Sequence, residues 1–266
     1  MPSKNSPIAL FDSGIGGLTV LKAIDQVLPD ENIVYYADTA HLPYGSKTPE
    51  QINGFVDEIA HFLLGEDIKI LLMACNTSSA LAIDTIRKWY PVPVIGIIEP
   101  AISIINANYP ENSKIGVIAT PATIKSGAYQ RRLSESGYIP LAEPATDLVS
   151  AIEGNMGDEY IDKILNEYLS KFPSDISALI LGCTHYPIVT DNIRKILHNG
   201  CDIINPAMAQ AMAAKKYLEE NALLSQGRSF EKFFVSGDRE QFFHNSAKIL
   251  PVPEDKIYQV SLPLVK

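Results

Sequence analysis

Short apolar runs alternate with longer segments of helical period along the whole chain. Residues 8–11 form the first run, and a glycine-rich turn follows. Leu18, Leu21, Ile24 and Leu28 then fall on one helical face, and Pro29 stops the pattern. Residues 33–37 are β-branched and aromatic and predict a strand. The pattern continues with a helix over 49–64, a buried strand over 68–74, a helix over 78–89 and a strand over 93–98. Near the end, 210–221 reads as helical and 233–236 as a short strand. Strands that are apolar on both faces, separated by amphipathic helices, predict parallel sheets covered on both sides.

The pattern also repeats. Ala9-Leu10-Phe11-Asp12 corresponds to Val117-Ile118-Ala119-Thr120, and Ala74-Cys75-Asn76-Thr77 to Gly182-Cys183-Thr184-His185. Ile97-Ile98-Glu99-Pro100-Ala101 corresponds to Ile203-Ile204-Asn205-Pro206-Ala207. The first two pairs lie 108 positions apart and the third 106. One order at nearly one offset predicts an internal duplication. The expected fold is therefore two similar α/β domains with mainly parallel sheets. The first spans 1–100 and is completed by 208–266; the second spans 101–207. Ligands of open α/β sheets sit beyond the carboxyl ends of the strands, so the expected site is a cleft between the halves.

Composition narrows the chemistry. At 266 residues the chain can bury a core without disulfide or metal staples. Its 22 Lys+Arg against 31 Asp+Glu give a net charge of -9, the wrong sign for tracking phosphates, so no nucleic-acid partner is expected. Three widely spaced cysteines without a C-x-x-C argue against a disulfide framework or zinc ribbon and favour a reducing, cytoplasmic setting. No run reaches the eighteen or so apolar residues of a membrane helix, and residues 1–7 lack the apolar core of a signal peptide.

The candidate chemistry sits at the strand ends. Cys75 closes an apolar run just before a helix, where unpaired N–H groups and the helix dipole favour a thiolate. An inert buried cysteine is the competing reading, weakened by the polar run Cys75-Asn76-Thr77-Ser78. Cys183 repeats the arrangement, with His185 as a partner able to take or give the thiol proton. A Cys/Cys/His zinc site using Cys201 is disfavoured by that residue's turn context, so no metal is expected. Gly14 and Gly16 match two positions of a dinucleotide fingerprint, but Thr19 stands at the third. That leaves a tight turn with Asp12 at its base, either a helix cap or a carboxylate acting on substrate or thiol. The 38–46 loop offers Tyr44 and Gly45, and Glu153 reads only as a glutamate near a helix end.

Two thiols on opposite walls of a cleft suit inversion of a stereocentre. One takes a proton from one face and the other returns a proton to the opposite face. The charge that develops needs preorganised donors, and residues 13, 76, 77, 120, 123 and 184 are of the right type. This chemistry assigns no step to a cofactor.

These residues resemble the glutamate racemases of the aspartate/glutamate racemase superfamily, over about residues 7 to 245. The landmarks are F-D-S-G-I-G-G at 11–17, P-Y-G at 43–45, A-C-N-T at 74–77, A-T-P-A-T-I at 119–124, I-E at 152–153 and G-C-T-H-Y-P at 182–187. The resemblance implies two α/β domains about a pseudo-twofold, no cofactor, and Cys75 and Cys183 as proton-transfer residues for D- and L-glutamate respectively. It gives Asp12 as the helper of Cys75, and His185 with Glu153 as helpers of Cys183. Asp12, Ser13, Tyr44, Gly45, Asn76, Thr77, Thr120, Thr123, Thr184 and His185 would hold the substrate. It further implies a cytoplasmic homodimer that supplies D-glutamate for peptidoglycan. His41 stands where the family usually has Arg, Ser78-Ser79-Ala80 replaces the commoner Ala-Ser-Ala, and Asn205 replaces an Asp. The competing readings are a sister activity such as aspartate racemase, a non-catalytic carboxylate-binding module, and a Cys-His hydrolase.

Overall fold

A computed structural model describes residues 3–197 and 200–262. The chain alternates strand and helix almost throughout. In order come β1 (Ile8–Asp12), α1 (Leu18–Val27), β2 (Ile33–Ala37), α2 (Pro49–Leu64), β3 (Ile70–Met73), α3 (Asn76–Leu81), α4 (Ile83–Trp89), β4 (Val94–Gly96) and α5 (Ile98–Asn108). Then follow β5 (Lys114–Ala119), α6 (Pro121–Ser126), α7 (Ala128–Glu135), β6 (Ile139–Pro144), α8 (Leu148–Glu153), α9 (Asp158–Leu169), β7 (Ala178–Gly182), α10 (Thr190–Ile196) and β8 (Asp202–Ile204). The last elements are α11 (Pro206–Glu220), β9 (Glu231–Val235), α12 (Arg239–Ser246) and β10 (Ile257–Gln259).

The strands form two sheets, ordered β10-β9-β2-β1-β3-β4 and β6-β5-β7-β8, and every pairing is parallel. The order β2-β1-β3-β4 recurs as β6-β5-β7-β8. The sequence repeats fall on equivalent strands of the two sheets: the first pair at the ends of β1 and β5, the cysteines after β3 and β7. Strands β9 and β10 extend only the first sheet.

Burial explains the layering. Alternate residues of β1 face opposite ways: Ile8 and Leu10 join one apolar cluster, Ala9 and Phe11 another. The first cluster is shared by both sheets through α1, α5 and α11. The outer faces are closed by α2 and α4 on the first sheet and by α8, α9 and α10 on the second. Each fully buried Leu or Ile contributes about 1.5–3 kcal/mol, so this central helical layer is a large part of what joins the halves. The return segment is also pinned by polar contacts. Lys69, fully buried, donates to the carbonyls of Lys4 at 2.7 Å and Leu223 at 2.9 Å and pairs with Glu31.

Local signals set several boundaries. Helix α2 begins with a reciprocal cap in which Gln51 N–H donates to Thr48 Oγ1 at 3.3 Å and Thr48 N–H donates to Gln51 Oε1 at 3.0 Å. Asn205 caps α11 by accepting from Ala207 N–H at 3.0 Å, so the helix starts earlier than the apolar pattern implies. The single helix expected over 78–89 is two, broken at Ala82, and it starts at Asn76. Asn53 of α2 donates to the Leu81 carbonyl at 3.2 Å, a tertiary bond at the break. The strand expected over 93–98 ends at Gly96; Ile97 and Ile98 turn into α5, an apolar pair that reads alike as strand or buried helix.

Candidate active site

Cys75 and Cys183 line one cavity of about 390 Å³ at the carboxyl ends of the strands. Cys75 follows β3 and is the N-cap residue of α3; Cys183 follows β7. Ser13, Tyr44, Gly45, Asn76, Thr77, Thr120, Thr184 and His185 line the same space. Three further candidates, Asp12, Thr123 and Glu153, stand behind the lining and act on it through hydrogen bonds.

Asp12 is fully buried at the end of β1. Its Oδ2 accepts from Gly17 N–H at 2.9 Å and Gly14 N–H at 3.2 Å, which fixes the glycine turn. Thr184 Oγ1 donates to the same carboxylate at 3.3 Å, so Asp12 ties the first wall to the second. A Cβ on Gly16 would stand 2.4 Å from Thr184 Oγ1 and 2.7 Å from His185 Nδ1, so only glycine permits this approach. Burial pushes the Asp12 carboxyl up, against the lowering influence of His185 and the two amides.

The environments of the two thiols differ. Burial pushes Cys75 up to about 12, and the nearby Asp12 charge adds to the rise, while hydrogen bonding at Ser78 opposes it. The expectation of a thiolate at Cys75 is therefore corrected: a six-residue helix and its dipole are outweighed by desolvation. The nearest hydroxyl to Cys75 Sγ is that of Ser13, at 3.9 Å. Cys183 Sγ lies 3.8 Å from His185 Nδ1, whose other ring nitrogen is 2.8 Å from Glu153 Oε1. Burial opposes charge on His185, but its bonds to Cys183 and Glu153 outweigh it and lift the imidazole to about 10.

Hydroxyls from both walls meet at one edge. Thr77 Oγ1 lies 2.9 Å from Thr120 Oγ1 and 3.1 Å from Thr123 Oγ1. Tyr129 OH donates to Asn76 Oδ1 at 2.6 Å, and the buried Asn76 amide NH₂ has no partner among the described residues and is available to a ligand. Tyr44 OH donates to Asp38, which is buried and also meets His41 Nδ1 at 2.9 Å and Ser236 OH at 2.7 Å. His41 in addition stacks on Phe55 at 3.9 Å and so anchors the 38–46 loop from within this chain.

Asp38 is a residue the sequence reading missed, and so are Leu42, Pro43, Ser46 and Pro121 of the lining. Thr146, Val149 and Ser150, at or near α8, line it too. The turn chemistry of 38–46 hinted at Asp38, Leu42, Pro43 and Ser46, and Pro121 stands in the A-T-P-A-T-I stretch; nothing in periodicity marks Thr146, Val149 and Ser150. Cys201 lies apart, half-buried, with its thiol 3.7 Å from the Asp202 carbonyl. Among the described residues no three His, Cys, Asp or Glu side chains are grouped to hold a metal.

The model of Asp/Glu/Hydantoin racemase matches residues 15–214. The chain belongs to that family. A glutamate racemase of Carboxydothermus hydrogenoformans is 36% identical over 271 residues, covering 97% of each chain. The solved glutamate racemase of Francisella tularensis, in complex with D-glutamate, superposes with a TM-score of 0.90 at 36% identity, covering 97% of this chain and 98% of that one. That of Thermus thermophilus, in complex with beta-chloro-D-alanine, gives 0.87 at 35% identity and 98% coverage of both. The two parallel sheets of this racemase family member thus have counterparts along nearly its whole length.

Proposed function

We propose that the protein is a cofactor-independent glutamate racemase working by two-base proton transfer between Cys75 and Cys183. The observation that carries the reading is the pair of buried thiols facing one cavity from equivalent strands of two sheets. The substrate assignment is supported by the near full-length similarity to glutamate racemases, one of them solved with D-glutamate bound.

On L-glutamate the Cys183 thiolate takes the α-proton, and the electron pair left on Cα delocalises into the adjoining carboxylate. The Cys75 thiol then gives its proton to the opposite face, leaving Cys75 as thiolate and Cys183 as thiol. D-glutamate runs the same steps backward. A thiol raised to about 12 suits Cys75 as the proton donor, and a charged His185 stabilises negative charge on Cys183 Sγ. Thr77, Thr120 and the free Asn76 amide supply donors to the charge that builds on the carboxylate. Asp12 acts as a positioning residue that holds the glycine turn and Thr184, and its charge adds to the burial that keeps Cys75 in the thiol form.

In the cell the enzyme acts as a cytoplasmic homodimer that supplies D-glutamate to peptidoglycan assembly. This reading is supported by the family resemblance. In addition, no helix among the described residues is long and apolar enough to cross a membrane. The test is incubation with L-glutamate in D₂O. The expected result is loss of optical rotation with one deuterium entering at Cα, faster than with aspartate. Constant rotation without deuterium would contradict the proposal.

A further inference from the structure

We infer that Lys47 and Lys125 form a cationic vestibule that draws an anionic dicarboxylate into the reaction cavity. The inference rests on the glutamate reading above and adds residues that none of the proton-transfer steps employs.

Among its described lining residues the reaction cavity contains no lysine or arginine. Its hydroxyls and amides hold a carboxylate at contact but exert little pull from a distance, because dipole interactions fall off faster than charge, and the His185 imidazolium in the lining is already bonded to Glu153 and Cys183. The molecule as a whole carries a net charge of -9 and repels an amino acid with two carboxylates and one ammonium. Unneutralised cations near the entrance would offset that repulsion.

A second cavity of about 440 Å³ adjoins the first and shares Gly45, Ser46 and Pro121 with it. Lys47 and Lys125 line it, and no acidic residue does; Glu50, three positions beyond Lys47, is not part of the lining. Lys47 follows the loop that carries Tyr44, on the side of the first sheet. Lys125 stands on α6, which follows β5 of the second sheet. The two cations therefore flank the approach from opposite walls. Neither side chain has a hydrogen-bond or ion-pair partner among the described residues, so their charge is not neutralised locally. Lys47 is half-buried and Lys125 exposed, which leaves both in reach of an incoming ion. An ammonium acts over roughly the Debye length, about 10 Å at 0.1 M salt.

The experiment compares the double variant K47E/K125E with K22E/K88E, which makes the same change in total charge at two exposed positions outside both cavities. KM and kcat for L- and D-glutamate are measured from about 10 to 300 mM salt. The vestibule predicts that KM of K47E/K125E rises about fivefold or more at low salt for both enantiomers, with kcat within about twofold of the parent. The difference shrinks as salt is added, K47R/K125R behaves as the parent, and K22E/K88E moves KM far less. An unchanged KM at low salt would overturn the inference, and so would a rise that persists undiminished at high salt. Equal effects of the two glutamate pairs would overturn it as well. A parent enzyme that fails to racemise glutamate defeats the reading of function instead, so the two failures are distinguishable.

Discussion

Cys75 lies where two influences of opposite sign meet. Its place before α3 favours a thiolate, while burial and the Asp12 carboxylate favour the thiol, and the second pair wins by lifting it to about 12. At Cys183 the partner is a histidine lifted to about 10, which is a cation at neutral pH. Two cysteines at equivalent strand ends of the two sheets thus acquire unlike surroundings, although each must serve as base for one enantiomer and as acid for the other. Glu153 is the group that makes the difference adjustable. It raises the His185 pKa, so Glu153→Gln must lower it. The alkaline fall of kcat/KM for L-glutamate, set by loss of the imidazolium near pH 10 in the parent, then moves to lower pH. Asp12, Cys75 and Cys183 also face this site and are unchanged in the variant. A pH profile that does not move would show that His185 charge does not govern the reaction.

The elements were mostly legible in the chain because their apolar periods are unambiguous. Strands β1, β2, β3 and β7 are buried on both faces and read as short apolar runs. The failures occur where a tertiary contact decides. The break at Ala82 coincides with the bond from Asn53, and the early start of α11 follows from Asn205 acting as a cap. For the site, the strand-end cysteines were visible as a repeated motif, whereas the Glu153–His185 bond joins residues 32 apart and leaves no mark on periodicity. The same holds for Asp38, whose partners Tyr44 and Ser236 come from different parts of the chain. The glycine turn after β1 gives an element-scale prediction. Gly16→Ala puts a methyl carbon within 2.4 Å of Thr184 Oγ1, forcing Thr184 or His185 aside. Displacement by about 1 Å at a reacting group costs up to about a hundredfold. The expected outcome is a fall in kcat of at least about tenfold with the thermal unfolding midpoint only modestly lowered. A variant with full activity would show that this close approach does not position the second wall.

At the scale of the molecule, the strand order β2-β1-β3-β4 recurring as β6-β5-β7-β8 is the physical counterpart of the 108-residue offset between the cysteine motifs. Helices α1, α5 and α11 pack between the two sheets in one shared apolar cluster, so the walls of the cleft share a core. Asp12 bonded to Thr184, and Thr77 bonded to Thr120, close the same two walls at the cavity itself. A thiol from each half then faces a single substrate, and the central claim is that the two divide the work by enantiomer. The direct measurement is α-proton exchange in D₂O, by NMR, for C75S and C183S with each pure enantiomer. The account predicts that C183S loses exchange of L-glutamate far more than of D-glutamate, and that C75S shows the reverse. Equal losses with both enantiomers in both variants would contradict it.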